Sequence, residues 1–299
     1  MTTASTLDAR VTSLWDAVAH EIAAGHRFAG LMGTQREDSM LLSVHLAQPG
    51  GVVTRDIALP AGVRSYPALT PVVGAAFWYE RELHDLFGIV PLDHPRLEPL
   101  IRPQSEVLAR HVLGSGLFTM PHGPVRSGVM ESIEYLVETP GEDIPHLNLR
   151  VFYKHRGIEK RFEQLTARDG VLLAERTEGV ASVAHALAYC HAVERIAGLT
   201  EVPGRAALVR VLYAELERLV AHLDVAVRLA DAAGLAVATA RFGTHKERVV
   251  RLVGRMCGSR FGRGVVIPGG VSDPPQVGGS ELLTEISRLE RSITVTRKP

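Results

Sequence analysis

The sequence predicts an α+β protein: a small mixed domain followed by a short β region and a mainly helical domain. Three observations carry the prediction. Apolar residues recur at spacings of three and four over residues 6–24. Around Gly50-Gly51 the period changes to strand-like alternation. From about residue 158 helical spacing returns and persists.

The elements follow in order. Leu7, Val11, Leu14, Trp15, Val18 and Ile22 form the stripe of an amphipathic helix. Phe28, Leu31 and Met32 precede LLSVHLAQPGGVVTRDIAL, read as two strands joined at Gly50-Gly51. A loop marked by Pro60, Pro67 and Pro71 leads to a helix over 72–87 that stops at Gly88. Residues 102–122 are rich in Gly, Pro and Ser, which predicts a boundary between domains at 1–110 and 111–299. SGVMESIEYLVET and HLNLRVFYKH read as strands around the turn Pro140-Gly141-Glu142-Asp143. Helices are expected over 182–197, 204–232, 244–256 and 280–293. The second of these carries Leu208, Leu212, Leu216, Leu219, Leu223 and Val227 on one stripe. GSRFGRGVVIPGGV, with five glycines, interrupts the helical pattern before the last.

The totals exclude several classes. Lys+Arg and Asp+Glu are equal at 33 each, so no net field invites nucleic acid. Two distant cysteines, Cys190 and Cys257, cannot form a disulfide framework and suit a reducing compartment. The N-terminus lacks the basic-then-apolar pattern of a secretory signal, and no long apolar window reads as a membrane span. Membrane attachment is therefore expected only through partners.

Three motifs hold the candidate chemistry. FWYERELHDLFGIVPLDHP (77–95) packs Glu80, Arg81, Glu82, His84 and Asp85 together, with His94 beyond a Gly/Pro turn. Spacing alone allows a solvated helix face with Arg81 and Asp85 paired at i,i+4. A zinc site using His84, His94 and Asp85 lacks any compact ligand motif such as HExxH. The second motif is His155-Arg156-Gly157-Ile158-Glu159-Lys160, where Gly157 permits a tight junction and Glu159 suits a helix start. The third is the hinge Glu175-Arg176-Thr177-Glu178-Gly179-Val180-Ala181 before an apolar helix that carries His185.

The first motif, Glu-Arg-Glu followed by Asp85 and His94, resembles the signature of the 30-kDa subunit of respiratory complex I. HRGIEK is similar to the signature shared by the 49-kDa subunit and the large subunits of energy-converting, formate hydrogenlyase-type nickel–iron hydrogenases. SVAHALAYCHAVE, RVLYAELERLVAHL and GSRFGRGVVIPGGV follow in the family's order. The resemblance spans roughly residues 70–285. It implies structural or docking roles for Glu80, Arg81, Glu82, Asp85, His94, His155, Arg156, Glu159 and Lys160. Glu98 departs from the family, which tends to have a basic residue or proline there. GPVRSG (123–128) has Arg126 where the relatives usually carry histidine, leaving Arg126 a quinone or cavity contact through guanidinium hydrogen bonds.

By register, hydrogenases place their first pair of nickel-binding thiolates at 178 and 181. This chain has Glu178 and Ala181, so no nickel–iron centre is expected, and no iron–sulfur cluster held by this chain alone. Glu178, with Arg176 and His185, is the candidate proton relay or coupling group. The competing reading is a helix N-terminal carboxylate stabilised by the dipole. The resemblance implies an oxidoreductase subunit, NADH dehydrogenase-like, at the cytoplasmic face of the membrane. Its expected partners are an iron–sulfur subunit of the 20-kDa or hydrogenase small-subunit kind and antiporter-like membrane subunits. The iron–sulfur cluster and quinone would come through those partners. NAD enters only through the family, since no dinucleotide fingerprint is present. Family large subunits continue beyond the matched segments, so the helical domain is expected to be incomplete at its C-terminus. A catalytically silent assembly scaffold is the alternative.

Overall fold

The structure is a computed structural model; it describes residues 2–101, 114–125, 132–151 and 153–296. Two compact units divide the chain, residues 1–155 and 156–299.

The first unit opens with helix α1 (Thr2–Ala23), which buries Val11, Trp15 and Val18. These pack on an antiparallel meander of β1 (Arg27–Gln35), β2 (Ser39–Gln48) and β3 (Gly51–Pro60). The expected Gly50-Gly51 hairpin joins β2 to β3, with Gln48 opposite Gly51. Phe28, Leu31 and Met32 lie in the third strand of the meander, β1, outside that hairpin. Leu42, Val44 and Leu46 of the central strand are fully buried, as expected for a strand covered on one side by a helix. A short parallel pair, β4 (Ser65–Pro67) and β5 (Val90–Leu92), flanks helix α2 (Phe77–Phe87). α2 ends at Gly88 in the left-handed conformation (φ 67°), where glycine avoids the Cβ penalty.

A second antiparallel sheet, β6 (Phe118–His122), β7 (Glu134–Thr139) and β8 (His146–Arg150), belongs to the same unit. β7 and β8 match the two segments read as strands. β6 falls in the stretch read as a Gly/Pro-rich linker.

The second unit is helical. Short helices α3 (Ile158–Phe162) and α4 (Gly170–Ala174) lead to α5 (Ser182–Ile196), α6 (Gly204–Ala232), α7 (Ala236–Cys257) and α8 (Gly279–Thr296). Between α7 and α8 lies a glycine-rich loop with a minimal hairpin, β9 (Val266–Ile267) and β10 (Gly270–Val271). The α6 stripe is largely the expected one: Leu216 and Leu223 are buried, and Leu212 and Leu219 pack against the same core. Leu208 is the exception at 73% exposed, while Val209 and Tyr213 widen the core face where α6 meets α5, α7 and the glycine loop at once. α7 starts eight residues before the expected Thr244, its first turns having no regular apolar spacing.

The charged motif of α2 is satisfied internally. Glu80 is fully buried and accepts from Leu69 N–H (2.7 Å), Thr70 N–H (2.9 Å) and the Thr70 hydroxyl (2.6 Å). Asp85 Oδ2 accepts from the amides of Leu100 (2.6 Å) and Ile101 (2.7 Å). Arg81 donates to the carbonyls of Glu98 (2.8 Å) and Pro99 (3.2 Å), with its guanidinium over the Phe77 and Trp78 rings. α2 therefore clamps the turn at 69–70 on one side and residues 98–101 on the other. Removing the Glu80 carboxylate would strand three buried donors, so Glu80→Ala should destabilise the first unit by about 3 kcal/mol or more. Denaturant unfolding followed by Trp15 and Trp78 fluorescence measures this.

Candidate functional site

The hinge at residues 175–184 is the candidate site, and its shape is set by four groups, one within the hinge and three from elsewhere in the chain. The first is HRGIEK. Gly157 sits in the left-handed region (φ 59°) and starts α3, which turns Arg156 back onto the hinge. Its guanidinium donates to the carbonyls of Arg176 (3.0 Å) and Thr177 (2.5 Å). The fork of an arginine suits two adjacent carbonyls as a single ammonium would not. His155, Glu159 and Lys160 are exposed; Lys160 pairs at the surface with Glu163 (2.5 Å).

The second group is Glu175, which is 1% exposed and accepts from Gly264 N–H (2.5 Å). The third is Arg263, which donates to the buried Ser182 hydroxyl (3.2 Å) and lies against the Phe261 ring. The fourth is Glu217 of α6, whose two oxygens accept from the amides of Val183 (2.7 Å) and Ala184 (2.9 Å). Gly262, at φ 65°, lets the loop come this close: a Cβ there would lie 2.6 Å from Val183 Cγ2. Farther along, Arg210 and Glu194 form a buried pair (2.6 Å) that also binds Ile267 O, Gly269 N–H and Gly270 O. That pair fixes the far end of the glycine loop.

Held at both ends, the hinge projects residues 178–181. Ala181 N–H reaches Glu178 O (3.4 Å) across this tip. Glu178 is half-buried, and its carboxylate has no hydrogen-bond or ion-pair partner among the described residues. Gly179 and Val180 are exposed. Arg176 is not directed at Glu178: it donates to Leu172 O (2.6 Å) and lies 3.7 Å from Glu175 Oε2. His185 is half-buried and acts electrostatically on Glu217. The structure thus does not join Glu178, Arg176 and His185 by any direct bond. The deeply buried carboxylate of the hinge is Glu175, three residues earlier. No local signal in the sequence separates it from Glu178; its partner, Gly264, lies 89 positions later. Glu217 was not singled out, since it lies 34 positions away within a helix full of charges. Arg126 lies outside the described residues.

The donor set does not fit a nickel–iron centre. Cys190 is buried in the α5 core, where burial pushes its thiol up to about 11. The Cys257 thiol lies 3.3 Å from both Val253 O and Ser259 O at the end of α7. Neither sits at the hinge tip, and a thiol kept protonated is a poor ligand. Among the described residues no group of three or more His, Cys, Asp and Glu side chains is arranged to hold a metal. In the first unit the two histidines of the hypothetical zinc site are spent on backbone. His84 Nδ1 meets Ile89 O, while His94 Nε2 meets Phe77 O and its Nδ1 receives Arg96 N–H. Burial lowers His94, which keeps it the neutral Nε2–H tautomer that these two bonds require.

Comparison with known proteins agrees with this architecture. Residues 5–111 match the family of the respiratory-chain NADH dehydrogenase 30 Kd subunit. The chain is 26% identical over 252 residues to the fused C/D subunit of NADH-quinone oxidoreductase from Bdellovibrio bacteriovorus, covering 74% of this chain and 45% of that protein. The chain is thus similar, segment by segment, to proteins that join a 30-kDa-like module to a large-subunit-like module. It is also 28% identical over 257 residues to hydrogenase-4 component G of Escherichia coli, covering 77% and 46% of the two chains. A solved structure of a membrane-bound sulfane sulfur reductase, an archaeal respiratory membrane complex, shares its fold. That match has a TM-score of 0.53 at 22% identity and covers 61% of this chain and 48% of the other. The chain spans about half the length of the relatives it matches. Among the described residues, no helix is long and apolar enough to cross a membrane.

The Glu194–Arg210 pair makes a test of the loop anchor. The Arg210 hydrogen bond, helped by Gly269 N–H, holds Glu194 below the ordinary carboxylate range against the cost of burial. The unfolded chain then binds more protons in the acid window, so this contribution is present above about pH 4.3 and lost as pH falls through the lowered value. Arg210→Met should cost about 3–5 kcal/mol at neutral pH, because it leaves a buried charge unpaired. Adding Glu194→Leu should recover much of that loss. Denaturant titrations of the wild type and these two variants at pH 4 and 7 measure both effects.

Proposed function

We propose that this chain is a peripheral-arm subunit of a membrane-attached, multi-subunit oxidoreductase of the complex I and formate hydrogenlyase type. The observation that carries the reading is the run of one chain through both modules of its relatives, 30-kDa-like then large-subunit-like. On this reading the modules meet near residue 110, where the family match ends at 111. The partners are an iron–sulfur subunit of the 20-kDa or small-subunit kind and antiporter-like membrane subunits. The chain lies at the cytoplasmic face of the membrane through those partners.

The hinge tip is then where an electron from the partner's iron–sulfur cluster meets quinone or protons. Glu178 supplies a carboxylate at the position of a lost thiolate, half-buried and without a competing partner among the described residues. His185 lies in the first turn of α5, and Glu217 of α6 holds that turn through the amides of Val183 and Ala184. The internally satisfied Glu80, Arg81 and Asp85 support a structural role for the α2 motif, with half-exposed Glu82 as its docking acid. A second reading, an assembly scaffold without turnover, is favoured by one observation: Arg176 is engaged with Leu172 and Glu175, not with Glu178.

Tagged chain purified from membranes should bring with it an iron–sulfur subunit and membrane subunits. Glu178→Gln should leave that assembly intact and lower quinone or proton reduction by roughly 100-fold or more, the usual scale for a positioned proton-transfer group. Full turnover in an intact Glu178→Gln complex would favour the scaffold. Absence of any iron–sulfur partner would contradict both readings.

A further inference from the structure

Helix α5 begins without a cap of its own. Ala181 stands at its N-cap position and has no side-chain oxygen to offer. Two of its first amides are nevertheless paired, and both donate to Glu217 of α6, one to each carboxylate oxygen (2.7 and 2.9 Å). Val183 and Ala184 are the second and third residues of the helix. Theirs are the amides that a serine or aspartate at Ala181 would have bound. The cap has been moved from the neighbouring residue to another helix.

The surroundings of Glu217 are unusual for a cap. Val180, Val183, Val220 and Val253 line a cavity of about 20 Å³ against it, with Phe261 and Arg260 also on the wall. That is room for about one water. Val180 belongs to the hinge tip, so the cavity reaches from the carboxylate to the segment that carries Glu178. No Lys or Arg among the described residues forms an ion pair with Glu217. The titratable and charged groups facing it are few. His185 comes from α5, Tyr213 from its own helix and Arg260 from the glycine loop, while Cys257 of α7 acts on Tyr213. Arg263 is held nearby on Ser182. Burial raises the Glu217 carboxyl from its ordinary range, and the two amides and His185 only partly oppose it. Glu194, paired with Arg210, moves the other way.

We propose that Glu217 is the positioning residue of the hinge tip: its carboxylate fixes the first turn of α5, and taking up a proton weakens its hold on one of the two amides. A carboxylate offers two strong, charged acceptor oxygens. The acid keeps a carbonyl oxygen, while its hydroxyl oxygen becomes a donor and only a weak acceptor. The proton comes from solvent through the cavity. One amide of the first helical turn then faces that weak acceptor, and the anchor of the tip on that side is loosened. Proton uptake and the setting of Glu178 become linked through a group that touches neither substrate nor cofactor. This inference deepens the reading of the hinge as the reactive site and rests on it.

The test uses the full chain with selectively ¹⁵N-labelled valine and alanine. The amide resonances of Val183 and Ala184 are followed from about pH 4 to pH 8, across the ordinary carboxylate and imidazole ranges. Both should move together with one midpoint above the usual glutamate value of about 4.3. Glu217→Gln should abolish that titration and speed exchange of these two amides about tenfold against amides of α7, the scale of one lost charged hydrogen bond. His185→Gln should leave the titration in place. Amides that do not titrate, or whose titration survives Glu217→Gln or disappears with His185, would overturn the proposal. If the Gln variant folds poorly, the wild-type and His185→Gln titrations decide the matter. No partner or turnover enters the readout, so a chain that assembles with nothing would sink the proposed function and leave this measurement standing.

Discussion

Backbone groups that leave regular structure at a bend must find partners elsewhere, and the hinge before α5 depends on that constraint. Between α4 and α5 the chain turns twice within a few residues. The freed carbonyls of Arg176 and Thr177 go to Arg156, and the freed amides of Val183 and Ala184 go to Glu217. Glu175 and Ser182, both buried, tie the same bend to the glycine loop. Each partner is charged or bonded to a charged group, the class of hydrogen bond that contributes most. The tip at 178–181 is thus presented by a rigid frame, although its own residues are partly exposed.

The first unit uses the same device for a different end. Glu80 and Asp85 spend their carboxylates on backbone amides, and Arg81 spends its guanidinium on backbone carbonyls. A run of charges that spacing alone reads as a solvated face is in fact a set of buried connectors. In both conspicuous charged motifs, ERE-x-x-D and HRGIEK, the side chains that are tied down act on main chain: Glu80, Arg81 and Asp85 in the first, Arg156 in the second.

Much of the fold was legible because it rests on local periodicity. The stripe of α1, the Gly50-Gly51 hairpin, the Gly88 stop and the extents of α5, α6 and α8 are all set by residues within a turn or two of each other. The misses share a cause. β6 was hidden in a Gly/Pro-rich stretch because strand pairing with β7 is a distant interaction. On α6, Leu208 leaves the core and Val209 and Tyr213 join it because three neighbours choose the face, and spacing inside the helix cannot. At the site, the hinge and the role of Gly157 could be read, but not which carboxylate is buried. Glu175 and Glu178 look alike in sequence; Gly264, 89 positions later, distinguishes them. Glu217 gave no local sign, since its partners are amides on another helix.

The central claim is that the hinge is built in advance by side chains of this chain. Native-state hydrogen exchange across residues 175–185 of the isolated chain tests it most directly. The account expects protection at Glu175, Arg176, Thr177, Val183, Ala184 and His185, whose amides all have acceptors, with fast exchange at Gly179 and Val180. Fast exchange throughout 175–185, as in an open loop, would contradict it.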